Sequence, residues 1–195
     1  MTKYTDKQKE IVESVRRIIS AKGIESLTIH QIAKDLGVTD GALYRHFKSK
    51  NEIIGLLIED IERTLLDTIK TAASKINNPI NKLENILSSH LSYAEQRKGM
   101  SVIVINETLN LQDRNLKRRM LKVIHAYLKE IKAILIDGAG AGKIRKDIDF
   151  VSASIAFFGM VQSMVTLWAL SGFRYSLKKR YLKLFDIYKK GVIVK

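Results

Sequence analysis

The chain has no cysteine, a single proline and eleven glycines in 195 residues. Without cysteine there are no disulfides, no thiolate zinc or iron–sulfur ligation and no cysteine nucleophile, which fits a reducing, cytoplasmic address. The first ten residues, Met1 to Glu10, contain neither an apolar core region nor a small-residue cleavage pattern, so no secretory signal is expected. Because glycine and proline are scarce and the apolar residues recur at helical rather than alternating spacing, the sequence predicts an all-α chain with no strands.

With 46% apolar and 28% charged residues, the chain has the composition of a globular protein with a sizeable core. Its 34 basic and 20 acidic side chains leave a net charge of +14, a bias toward polyanions such as nucleic acid or an anionic membrane. Residues 1–50 hold ten basic and six acidic side chains against 24 and 14 in the remainder, so charge alone does not locate a nucleic-acid site.

Helix starts are easier to place. Thr5-x-x-Gln8, Thr28-x-x-Gln31 and Ser49-x-x-Glu52 each have the form of a capping box, with Leu27 and Ile32 placed to staple the second. A first helix is expected over Asp6–Lys22, stopped by Gly23, and a second over Ile29–Leu36, stopped by Gly37. A short third helix capped by Thr39 carries Leu43 and Phe47 inward, and Ser49 opens a long fourth. Asn78 before Pro79 marks a boundary near residue 78, while Gly99, the Gly138–Gly142 run and Gly172 divide the remainder.

Two short helices around Gly37-Val38, the second bearing small and polar residues, read as a helix-turn-helix whose second helix is free to enter a major groove. The pattern Thr28-x-x-x-Ile32-Ala33-x-x-x-Gly37-Val38-Thr39-x-Gly41-x-x-Tyr44-x-x-Phe47-x-x-Lys50 resembles the TetR family of transcription regulators over about residues 5 to 55. The resemblance implies a DNA-binding domain over 1–48 and a ligand-binding and dimerisation domain over 49–195. It also implies phosphate contacts from Thr28, Thr39, Tyr44, His46 and Lys50, and base-edge contacts from Asp40, Ala42 and Arg45. Lys50 can add its charge to a helix N-terminus facing a phosphate, and the planar fork of Arg45 suits guanine. Asp40 would repel phosphate, so it must accept from a cytosine amine, act through water or serve the helix start.

Other motifs point away from catalysis and metal chemistry. His30, His46, His90 and His125 show no ligand spacing, so no metal site or cofactor is expected. Asp137-Gly-Ala-Gly-Ala-Gly-Lys143 lacks the glycine spacing and hydroxyl residue of a phosphate loop and reads as a connection between helices. No paired catalytic groups argue for an enzyme. Residues 150–173 run for 24 positions without a charge, long enough to span a membrane, but Ser152, Ser154, Gln162, Ser163, Thr166 and Ser171 favour a buried helix.

A homodimer is therefore expected, with Val161, Val165, Tyr181, Phe185 and Tyr188 on its interface. Tyr93, Met100, Ile103, Tyr127, Phe157, Met160, Met164 and Trp168 are the candidate lining for a small apolar or amphipathic ligand that releases operator DNA. The basic cluster Arg114, Lys117, Arg118, Arg119 and Lys122 reads as a solvated helix face. The stretch around it, Gly99-Met100 through Leu109 to Leu116 and Arg119, resembles the nucleoid-occlusion branch of the family. That resemblance implies the alternative, a DNA-bound protein controlled by a protein partner.

Overall fold

The computed structural model describes residues 5–74 and 76–194. The described residues form nine α-helices: α1 Asp6–Lys22, α2 Ile29–Leu36, α3 Asp40–Tyr44, α4 Lys50–Ser74, α5 Pro79–Gln96, α6 Met100–Asn110, α7 Arg114–Gly140, α8 Phe150–Leu170 and α9 Tyr181–Val192. Two short 3₁₀ turns, Ile24–Ser26 and Leu177–Lys179, join them, and an isolated bridge pairs Ile144 with Ile193.

Local chemistry explains the helix boundaries. Thr5 and Gln8 make a reciprocal box, the Thr5 hydroxyl accepting from the Gln8 N–H while the Gln8 side-chain Oε1 accepts from the Thr5 N–H at 2.8 Å. At α4 the Ser49 hydroxyl accepts from the Glu52 N–H, but Glu52 reaches one residue further back, to the Lys48 N–H at 2.9 Å. Asn78 caps α5 through the N–H groups of Ile80 and Asn81, with Pro79 first in the helix. Gly37 ends α2 in the left-handed region at φ 66°.

One boundary departs from the sequence expectation. Gly138 and Gly140 lie inside α7, and the chain turns only afterwards, at Gly142 with φ 68°. Gly138 is required for space instead: a Cβ there would lie 2.6 Å from the Ile144 side chain and 3.0 Å from Pro79.

The residues fall into two compact units. The first comprises the chain up to Glu62 together with Ile103–Met120, and the second comprises Arg63–Val102 with the chain from Leu121 onward. Within the first, α1 buries Ile11, Val15, Ile18 and Ile19, α2 buries Ile32 and Ala33, and Leu43 and Phe47 close the same core. Arg17 and Asp35 tie α1 to α2 at 2.6 Å. Within the second, α5 packs on α8 and α9, burying Leu83, Leu87 and Leu91 with Phe157, Val161, Val165 and Phe185. By length and composition α8 could cross a membrane, but in the structure it is a core helix on one side, where Phe157, Val161 and Trp168 are buried.

Candidate functional site

In the first unit, the threonines that cap α2 and α3 bring the helix-turn-helix together. The Thr28 hydroxyl accepts from the Gln31 N–H at 3.0 Å, and the Thr39 hydroxyl accepts from the Ala42 N–H at 3.2 Å. Both residues remain exposed. α3 is shorter than the sequence suggests, and Arg45 and His46 continue it as a turn in which the Leu43 carbonyl accepts from the N–H groups of His46 and Phe47. Leu43 and Phe47 anchor this segment in the core, leaving Tyr44, 54% exposed, with Arg45 and His46 on the outside. Ala42 is half-buried.

Two of the charged candidates have partners that sequence spacing does not reveal. The Asp40 carboxylate lies 2.9 Å from Nδ1 of His30, at the start of the preceding helix, which gives Asp40 a role within the motif. Lys50 Nζ lies 2.7 Å from Glu107 Oε1 on α6. Arg114, Lys117, Arg118, Arg119 and Lys122 are exposed along α7, and Arg119 also donates to the Gly55 carbonyl at 3.2 Å.

In the second unit the chemistry lies inside. Tyr93, Met100, Tyr127, Phe157, Met160, Met164 and Trp168 are all buried there, while Ile103 belongs to the first unit and is half-buried. His90, which sequence reading set aside, is at the centre of this aromatic interior. Its ring meets those of Tyr93 and Tyr127 at centroid distances of 6.3 and 5.3 Å, and its Nδ1 pairs with the Tyr127 hydroxyl at 3.2 Å. Burial drives the His90 pKa down to about 3 and pushes the Tyr127 phenol well above its ordinary value, so both are neutral. Tyr93 and Thr64 hydroxyls pair at 3.0 Å. His90 Nε2 and Trp168 Nε1 are buried without a hydrogen-bond partner among the described residues.

The expected interface residues Val161, Val165 and Phe185 are buried within the chain itself, at 0, 1 and 3% exposure, so a second copy has nothing left of them to cover. Tyr181 and Tyr188 are half-buried, Tyr188 donating to the Ala153 carbonyl at 3.0 Å. The opposite stripe of α8 is open: Val151, Ile155, Leu167 and Leu170 are exposed, the last at 81%, and α9 exposes Leu182 and Ile187.

A capped helix-turn-helix on one unit, with a separate helical unit of apolar and aromatic interior, defines a DNA-binding regulator. Two family descriptions match the chain, "Bacterial regulatory proteins, tetR family" over residues 11–56 and "YsiA-like protein, C-terminal region" over residues 58–191. The chain belongs to the tetR family of bacterial regulatory proteins and is a DNA-binding transcriptional regulator.

Among its relatives, the fatty acid metabolism regulator protein of Bacillus subtilis is 26% identical over 182 residues, 91% of each chain. The nucleoid occlusion factor SlmA of Actinobacillus pleuropneumoniae serotype 5b is 31% identical over 118 residues, 60% of this chain and 58% of that one. The fold resembles that of the transcriptional regulator FadR from Bacillus subtilis, solved in complex with stearoyl-CoA. That match has a TM-score of 0.81 at 23% identity and covers 94% of this chain and 98% of that one. It also resembles the ketosteroid transcriptional regulator KstR2 of Mycobacterium tuberculosis, with a TM-score of 0.78 at 19% identity and coverage of 98 and 97%.

Proposed function

We propose that the protein is a cytoplasmic repressor that binds operator DNA as a homodimer and is released by an amphipathic molecule with a long apolar chain. The interior of the second unit carries the ligand reading. It combines aromatic and methionine side chains, which adapt to irregular apolar guests, with buried polar atoms that have no hydrogen-bond partner among the described residues, His90 Nε2 and Trp168 Nε1 among them. An acyl chain fits the first feature and a carbonyl or carboxyl group the second. The fatty acid regulator among the relatives, and a structural neighbour solved with stearoyl-CoA, support the same class. Released operator requires a ligand that prefers the DNA-incompetent conformation, and the linkage is reciprocal. Titrating stearoyl-CoA against an operator complex should therefore release DNA, and operator should weaken stearoyl-CoA binding by the same factor. Release without that reciprocal loss defeats the reading.

DNA contact is assigned to Thr28, Thr39, Tyr44, His46 and Lys50 on phosphates and to Asp40, Ala42 and Arg45 near base edges, in a DNA-binding domain over 1–48, with 49–195 for ligand and dimer. The exposed Tyr44, Arg45 and His46 support this. Tyr44→Ala should weaken all duplexes alike. Arg45→Ala should also relax preference at one base position by roughly 1 to 3 kcal/mol. Equal binding of all duplexes by the Arg45 variant and the unmutated protein overturns the base-reading role.

For the dimer face, the exposed stripe Val151, Ile155, Leu167 and Leu170 with Leu182 and Ile187 is the better candidate, since these side chains leave apolar area to cover where Val161, Val165 and Phe185 do not. Ile155→Asp combined with Leu182→Asp should sediment as a monomer. The likeness to the nucleoid occlusion factor favours a second reading, binding at many dispersed chromosomal sites under a protein partner. A genome-wide map of bound sites separates the two.

A further inference from the structure

Lys50 opens α4, where the proposed function puts an operator phosphate, yet its ammonium group is already engaged. Glu107 Oε1 holds it at 2.7 Å, in a pair whose side chains are only 35% and 12% exposed. Neighbouring contacts fix this arrangement. Asn51 Nδ2 donates to Asp113 Oδ2 at 3.2 Å, and Asp113 Oδ1 in turn accepts from the N–H groups of Asn115 and Leu116 at the start of α7. Arg119, one turn into α7, donates to the Gly55 carbonyl one turn into α4. All these residues belong to the first unit, so the opening of α4 is tied at three points to the end of α6 and the start of α7.

We infer that Glu107 is a second determinant of operator affinity, competing with the DNA phosphate for the Lys50 ammonium. This competition presupposes the proposed phosphate contact of Lys50. A carboxylate and a phosphate oxygen cannot both have the full interaction of one ammonium group. Glu107 thereby sets affinity below what the motif alone could reach. It does so for every DNA sequence, because a phosphate carries no sequence information.

The test is a double-mutant cycle in the full-length protein, with binding to operator and to an unrelated duplex measured across a salt series. Glu107→Gln should bind both duplexes roughly three- to tenfold more tightly, and in a Lys50→Gln background it should change affinity by less than about twofold. If Glu107→Gln binds no better or more weakly, the competition is refuted and Glu107 instead holds Lys50 in its DNA-binding position. An equal gain with and without Lys50 also refutes it, leaving only general repulsion. Should Lys50→Gln itself leave affinity and salt slope unchanged, the phosphate contact beneath the inference is what fails. Thermal unfolding checks each variant, and Glu107→Met, of similar length, replaces the glutamine variant if that one unfolds.

Discussion

The helix-turn-helix of the first unit and the aromatic interior of the second place their polar groups differently. In the helix-turn-helix and its contact with α1, polar side chains act at helix ends and on the outside: Thr28 and Thr39 cap, Arg17 holds Asp35, His30 holds Asp40, and Tyr44, Arg45 and His46 face outward. In the second, His90, Tyr127 and Trp168 carry their polar atoms into the interior. The first arrangement suits recognition of a rigid, charged surface, since hydrated groups facing a duplex cost little to keep exposed. The second suits a guest that leaves water, since buried polar atoms gain most from a partner where the dielectric is low.

The largest effect should come from emptying the second interior. Phe157 is fully buried and stacks edge-on against Tyr188 at 5.4 Å, so Phe157→Ala should cost roughly 3 to 5 kcal/mol. Hydrogen exchange should locate the loss in α5, α8 and α9, with the α1–α3 amides keeping most of their protection. Equal loss across the whole chain would mean that the two units unfold as one cooperative body.

Acid should probe the same difference more gently. His90 takes up a proton with a pKa of about 3 when buried and near 6.5 when unfolded, so between those values the unfolded chain binds more protons. Stability is complete above about pH 6.5 and falls as the pH drops through that window, by about 2 kcal/mol at pH 5. The groups facing His90 are the Tyr93 and Tyr127 rings, and the Tyr127 phenol stays neutral throughout. His90→Gln should flatten this dependence in denaturant titrations at pH 5 and 7.5. An unchanged slope would assign the acid sensitivity to carboxylates instead.

The same contrast separates what the sequence made legible from what it did not. Helix caps lie within windows of about four residues, so Thr5, Thr28, Thr39 and Asn78 with Pro79 could be read directly and mark four helix starts. Gly138 could not, because the reason for it is the approach of Ile144 and Pro79, the latter 59 positions away in sequence. Lys50 and Glu107, or His30 and Asp40, pair across separate helices, and no local pattern joins them. α8 shows the limit most clearly. α8 has no charge, and its few polar residues fall on both faces, Ser154 buried and Ser152 and Ser163 exposed, so they do not reveal which apolar stripe faces its own core; the sequence offered Val161 and Val165 for the dimer when Val151, Ile155 and Leu170 are the ones exposed.

The smallest effect is the most discriminating about the first unit, because Thr28 and Thr39 have the same local geometry. Each hydroxyl accepts one N–H three residues on, so replacing either by alanine should cost about 1 kcal/mol of stability. Serine should restore it, since only the hydroxyl is used. The hydroxyl proton of each residue is still free to donate, and an operator phosphate is the proposed acceptor for both. Thr28→Ala and Thr39→Ala should therefore weaken DNA binding beyond what the lost stability explains, and serine variants should recover binding along with the cap. Titrations at a temperature where all variants remain folded separate the two roles. If alanine lowers the unfolding temperature but leaves DNA affinity intact, these threonines only build the helices, and phosphate contact passes to Tyr44, His46 and Lys50.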